Sequence, residues 1–188
     1  LDFPKIVVIE QDTSLPYGNG SPIASARRFV ETEEAFLVLY SDDVVFGNPG
    51  DAKVMVETYL EDPDIAGVIM AQEVSPEVVD KYGIISFKSG TDDELDNIIE
   101  KPEKESAPSN LASYGRYLVK QDVFDHLNPQ NTGKDGELWT VDAITDIAKT
   151  KKVKVVRTQG EWMTTGDPEN YFLAHLRFVI EHTKYGKN

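Results

Sequence analysis

The sequence predicts an α/β fold, a mixed and mainly parallel sheet flanked by helices, and three observations predict it. Apolar runs of strand length alternate with stretches of helical period, the pattern of a sheet covered by helices. One of those runs, Phe36-Leu37-Val38-Leu39-Tyr40, is apolar throughout, as strands buried on both faces of a parallel sheet are. The 188 residues are 40% hydrophobic and 28% charged, which suits one globular domain over 1–188 and no disordered or fibrous class.

Taken in order, Lys5 to Glu10 reads as a buried strand with almost no leader before it, so the chain is expected to open inside a domain. The Gly- and Pro-rich stretch DTSLPYGNGSP then turns the chain into a helix over Ile23 to Val30. Phe36 to Tyr40 is expected at the centre of the sheet, and Ser41-Asp42-Asp43 ends it. Apolar spacing in DAKVMVETYLED predicts a helix, and Ile65 to Val74 a strand. From Tyr82 the texture changes to GIISF, DNIIEKP and LASYGRYLV, three strands joined by polar loops and read as antiparallel or mixed additions. Gln121 to Leu127 and Leu138 to Lys149 read as helices, Val153 to Arg157 as a strand, and Pro168 to His182 as a closing helix with Pro in its first turn.

Composition excludes several roles. With 19 Lys and Arg against 33 Asp and Glu the net charge is −14, a field that repels nucleic acid and anionic membranes at long range. A small phosphorylated ligand stays compatible, because one Lys and a bound divalent cation reverse the potential inside a cleft. The absence of cysteine removes disulfides, thiolate metal sites and a Cys nucleophile, which fits a reducing, cytoplasmic setting. No apolar run reaches the roughly 20 residues needed to span a bilayer.

Three constellations can carry chemistry. Asp42 and Asp43 stand just beyond the end of a buried strand, where open α/β sheets place ligands and where a hard cation such as Mg²⁺ finds carboxylates; the alternative is a capped turn, at equal odds. Asn97-Ile98-Ile99-Glu100-Lys101-Pro102 delivers a hydroxyl acceptor and a point charge for phosphate to one strand end, although an exposed ion pair is the commoner use of such a pair. Pro16-Tyr17-Gly18-Asn19-Gly20-Ser21-Pro22 offers bare backbone at a helix start, suited to a flat base or a phosphate, and is otherwise an ordinary turn. His126, His175 and His182 have no ligand spacing.

In order along the chain, EQDTSLPYGNG, LVLYSDDVV, KYGIISF, IIEKP, APSNLASYGRYLV, GELWTVDAI and TTGDPENYFLA resemble the motifs of the bacterial and archaeal UTP:glucose-1-phosphate uridylyltransferases. These form a branch of the sugar-phosphate nucleotidyltransferase family. The resemblance implies a Rossmann-like nucleotidyltransferase fold and transfer from UTP to glucose 1-phosphate, giving UDP-glucose and pyrophosphate with Mg²⁺. It implies uracil contacts at Gln11 and the backbone of Gly18, glucose contacts at Tyr82, Gly83 and Glu100, and Asn110 in the same pocket. Lys101 is implied as the phosphate ligand and Asp42 as the magnesium ligand.

The chain also departs from that family. The Gly-x-Gly-Thr-Arg loop that cradles the triphosphate is absent, so the chain is expected to be the C-terminal two-thirds of a nucleotidyltransferase domain and inactive alone. Where many relatives carry a second metal-binding Asp stands Thr164, and the nearest carboxylate, Asp167, is the candidate for that role. Gln11 lies farther from Gly18 than in the family pattern. A non-catalytic sugar-phosphate or nucleotide-sugar binder, and a thymidylyltransferase-type relative, are the alternatives, and a homo-oligomer is left open.

Overall fold

The computed structural model describes residues 5–130 and 132–182. Helix α1 spans Gly20–Val30, followed by β1 (Ala35–Leu39), β2 (Asp43–Phe46), α2 (Asp51–Glu61) and β3 (Ile65–Glu73). Strands β4 (Gly83–Phe87), β5 (Leu95–Glu100) and β6 (Leu111–Lys120) come next, then α3 (Val123–His126), α4 (Thr140–Ala148), β7 (Lys152–Arg157), β8 (Glu161–Thr164) and α5 (Pro168–His182). The main sheet runs β5-β4-β6-β3-β7, with β1 paired to β6 off that path. The short strands β2 and β8 form a separate antiparallel ribbon.

Period-2 alternation builds two hydrophobic layers on this sheet. Ile69 on β3 and Tyr117 and Val119 on β6 face α1, α3 and α4 through Ile23, Phe124, Ile144 and Ile147. Val68, Met70 and Leu118 face the other way, onto Met55 of α2. The amino end of α2 is tied to the sheet by buried Asp51, which accepts hydrogen bonds from the Tyr114 hydroxyl at 2.7 Å and the Thr158 hydroxyl at 2.9 Å.

Four expectations are corrected. The α/β class and the mixed sheet hold, but the sheet is not mainly parallel: only β3 with β7 is parallel, while β1, β3 and β4 all pair with β6 antiparallel. A strand buried on both faces is apolar throughout whichever way it runs, so the pattern carries burial and not direction. The central strand is β6, not Phe36–Tyr40, since β1 pairs only with β6. Residues Lys5 to Glu10 form no strand, and Ile6 and Val8 are 82% and 92% exposed, because no described strand offers them a ladder. The helix read over Gln121 to Leu127 shrinks to the four residues of α3.

Two strands share one edge of β6. β1 pairs with Arg116 to Lys120, and β4 pairs with Ala112 and Ser113. Between them, near Tyr114 and Gly115, that edge is split. A Cβ at Gly115 would overlap the Tyr40 ring, so only glycine lets the chain leaving β1 pass this close.

Candidate active site

The turn after β1 occupies one side of the split and the start of β4 with the end of β5 occupies the other. Adjacent strands that diverge open a crevice where ligands settle in α/β sheets.

On the β1 side the two adjacent acids have opposite fates. Asp43 is 8% exposed, and its carboxylate accepts the Gly115 N–H at 2.9 Å and the Trp162 indole N–H at 2.5 Å. It therefore completes the interrupted ladder of β6 with a side chain and locks the β2–β8 ribbon to the sheet. Burial raises its pKa, opposed by those two hydrogen bonds. Asp42 is exposed, and its carboxylate accepts no hydrogen bond among the described residues. Its backbone carbonyl accepts from the Thr165 N–H at 2.6 Å and the Thr165 hydroxyl at 3.0 Å. Its carboxylate faces Gly166, whose added Cβ would lie 3.8 Å from Asp42 Oδ2.

Arg116 staples this turn from below. Its guanidinium donates to the carbonyls of Tyr40 at 2.7 Å and Gly115 at 2.9 Å, and to that of Asp43. A planar fork serves several acceptors at once and a lysine ammonium serves them poorly. Arg116→Lys is expected to leave the circular dichroism spectrum unchanged while speeding amide hydrogen exchange at Ser41 to Asp43 about tenfold, the effect of losing ~1.4 kcal/mol of local protection. Unchanged exchange there would remove the role.

On the other side, Gly83 pairs with Glu100 in the β4–β5 ladder and with Ser113 of β6. A Cβ at Gly83 would lie 3.0 Å from Glu100 Oε2, so glycine leaves room for that carboxylate over the strand. Lys101 has φ 49°, a left-handed conformation that costs a non-glycine residue about 1 kcal/mol or more. It is held there by its N–H, which donates to the Tyr82 carbonyl at 2.9 Å, and its Nζ lies 3.8 Å from Glu100 Oε1. The Lys101 side chain is 53% exposed, available to an anion entering the split. Tyr82 meets Trp162 edge-to-face at 5.1 Å, and Tyr114 stacks on the same indole at 5.0 Å.

Electrostatics tie the two sides together. Burial raises the Tyr117 hydroxyl pKa, and Asp43 and Glu100, one from each side of the split, push it further. Burial likewise raises Tyr82, with Asp167 and Asp43 adding.

The structure thus places Asp43 at Gly115 and Gly83 at Ser113 on one edge of β6, with Asp42 beside the first and Tyr82, Glu100 and Lys101 adjoining the second. Asn110 stands apart from Gly83, and Asp167, near Tyr82, is engaged by Asn170. Asn110 immediately precedes β6, three residues before Ser113 and about 10 Å away at strand rise, with its carbonyl accepting from the Val74 N–H. Asp167 spends both carboxylate oxygens on Asn170, at 3.0 Å to the backbone N–H and 2.6 Å to the side-chain amide, and these bonds lower its pKa. It caps the start of α5. Gln11 and Gly18 line a second cavity of about 380 Å³ beside the α1 start. Sequence reasoning passed over Arg116 and Trp162, although Arg116 lies within the motif APSNLASYGRYLV and Trp162 two residues before TTGDPENYFLA.

Among the described residues no group of three or more His, Cys, Asp or Glu is arranged to hold a metal ion. One free carboxylate at the strand end still fits a hard cation completed by substrate phosphates, the usual arrangement for Mg²⁺. No described helix is long and apolar enough to cross a membrane.

Residues 3–179 match the family described as Nucleotidyl transferase. A UTP--glucose-1-phosphate uridylyltransferase of Staphylococcus saprophyticus is 34% identical over 166 residues, covering 87% of this chain and 56% of the relative. The UTP-bound UGPase from Acinetobacter baumannii superposes with a TM-score of 0.77 at 31% identity, covering 89% of this chain and 58% of that one. A UDP-glucose pyrophosphorylase complexed with UDP-glucose superposes with a TM-score of 0.78 at 28% identity, covering 96% and 66%. The chain spans just over half the length of the curated relative.

Proposed function

The chain belongs to the nucleotidyl transferase family, and from that premise we propose that it carries the sugar-phosphate half of a site that transfers a uridylyl group from UTP to glucose 1-phosphate. A phosphate oxygen of the sugar phosphate forms a bond to the α-phosphorus, the α–β phosphoanhydride bond breaks, and pyrophosphate leaves with the electron pair. Such chemistry needs positioning and charge neutralisation more than covalent help.

The reading rests above all on the split edge of β6, which sets an exposed carboxylate, Asp42, across from a carboxylate and an ammonium on neighbouring residues, Glu100 and Lys101. Glu100 and the backbone at Gly83 hold sugar hydroxyls, Tyr82 walls the sugar, and Lys101 holds the phosphate and lowers its charge for attack. Asp42 holds the divalent cation, taken to be Mg²⁺, which neutralises the phosphates when bound. The relatives whose names and titles carry UTP and UDP-glucose support this substrate pair.

Calorimetry decides it. UDP-glucose is expected to bind saturably and to be displaced by glucose 1-phosphate but not by glucose, since glucose lacks the group that Lys101 holds. Equal displacement by glucose, or no binding of UDP-glucose, would overturn the reading.

A further inference from the structure

Helix α5 rests on the β2–β8 ribbon through the side that carries Ala174. That residue is buried, and Arg177 lies 2.6 Å from Glu161 Oε2 at the start of β8 and over the Phe46 ring at 4.6 Å. These contacts fix the rotation of the helix about its axis. At 3.6 residues per turn, positions 172, 173, 176, 179 and 180 then fall on the side turned away from Ala174, where a surface helix ordinarily carries polar residues. Here they hold Phe172, Leu173, Leu176, Val179 and Ile180, all between 41% and 66% exposed. With roughly half of each side chain in water, this stripe amounts to on the order of 400 Å², a patch of the size that marks an interaction surface.

The spacing selects the occupant. Apolar residues stand three and four positions to either side of Leu176, so the stripe reads the same in both directions along the helix. An antiparallel copy crossing at Leu176 sets Phe172 against Ile180 and Leu173 against Val179, with Leu176 against itself. Such self-complementarity is what a two-fold, isologous contact requires. Antiparallel helices also place the positive end of each dipole beside the negative end of the other, whereas a parallel pair sets like ends together. None of the five residues is charged, so the contact needs no buried ion. The area suffices as well. Two stripes bury on the order of 800 Å² of apolar surface, and at the ~65% apolar share of homodimer interfaces the total is about 1,200 Å², the lower bound for stable association.

We propose that the stripe docks a second copy of this chain, α5 against α5 in an antiparallel two-fold pair with Leu176 at the axis. The pairing does not depend on the substrate assignments above.

Analytical ultracentrifugation of the 188-residue chain is expected to give twice the single-chain mass of 21.0 kDa at micromolar concentration. Leu176→Glu sets two carboxylates against each other at the axis and is expected to raise the dissociation constant at least about 100-fold. Its circular dichroism should be unchanged, because the Leu176 side chain lies outside the packed core. Should that variant fail to fold, cysteine variants decide the matter. The sequence has no cysteine, so an introduced one reports geometry directly. Leu176→Cys is expected to form a disulfide-linked dimer under mild oxidation, since facing Cα atoms of a close helix pair come within the roughly 4.4–6.8 Å that a disulfide spans. Phe172→Cys should not cross-link to itself but should cross-link to Ile180→Cys when the two variants are mixed. A monomer at about 100 µM would leave the stripe to another occupant and overturn the proposal. So would a dimer indifferent to Leu176→Glu, or Phe172→Cys cross-linking to itself as readily as Leu176→Cys does.

Discussion

Placed in a protein that supplies the Gly-x-Gly-Thr-Arg loop this chain lacks, Asp42→Asn is expected to lower uridylyl transfer by a factor of about 10² or more and to abolish the dependence on added divalent cation, because the amide keeps the shape and loses the charge that a hard cation needs. The fold should survive, since the Asp42 carboxylate accepts no hydrogen bond among the described residues and only its backbone carbonyl is tied, to Thr165. Direct binding of Mn²⁺ followed by electron paramagnetic resonance gives a readout independent of turnover. Asp43→Asn is the informative contrast. Its carboxylate accepts two N–H groups, and an amide there turns one N–H₂ toward a donor, leaving a buried group unsatisfied at a cost of about 1–3 kcal/mol. So Asp42→Asn should lose metal at unchanged melting temperature and Asp43→Asn should lose stability first. Mn²⁺ binding that is unaltered in Asp42→Asn would leave Asp42 as a turn residue only.

Lys101→Ala is expected to weaken glucose 1-phosphate binding by a factor of roughly 10 to 150, the worth of a charge-assisted hydrogen bond to phosphate of about 1.5–3 kcal/mol. The protein holds this residue in a left-handed conformation through the Tyr82 carbonyl, and such a conformation persists where the surrounding structure over-determines it. Alanine at the same φ keeps the backbone cost while deleting the ammonium, so the variant isolates the charge. Titration with glucose serves as the control and should be indifferent to the substitution. An unchanged affinity for glucose 1-phosphate would remove Lys101 from the phosphate site.

How far the sequence spoke can be judged residue by residue. The positions of Asp42, Glu100 and Lys101 at strand ends were legible because an apolar run followed by charged residues marks where a strand stops. Strand direction was not legible, since β3 and β6 are apolar on both faces and read the same either way. The β2–β8 ribbon was missed because strands of four residues are too short to carry a detectable period. Arg116 escaped because its partners are three carbonyls, groups that every residue has and no sequence pattern marks. Asp167 was open to a better reading. Asp167-Pro168-Glu169-Asn170 has a capping residue followed by Pro in the first helical position, which is the signature of a helix start.

The division of the β6 edge between β1 and β4 has a consequence for how such a protein can diversify. Donor-side and acceptor-side residues hang from different strands that share a backbone but no ladder with each other, so substitutions on β4 and β5 can retune the acceptor without moving the turn that carries Asp42. One described link across the gap is the Trp162 indole, bonded to Asp43 and touching Tyr82. A lineage changing its sugar is thus free to vary one bank of the split piecemeal, while a change at that one aromatic residue is felt on both banks at once.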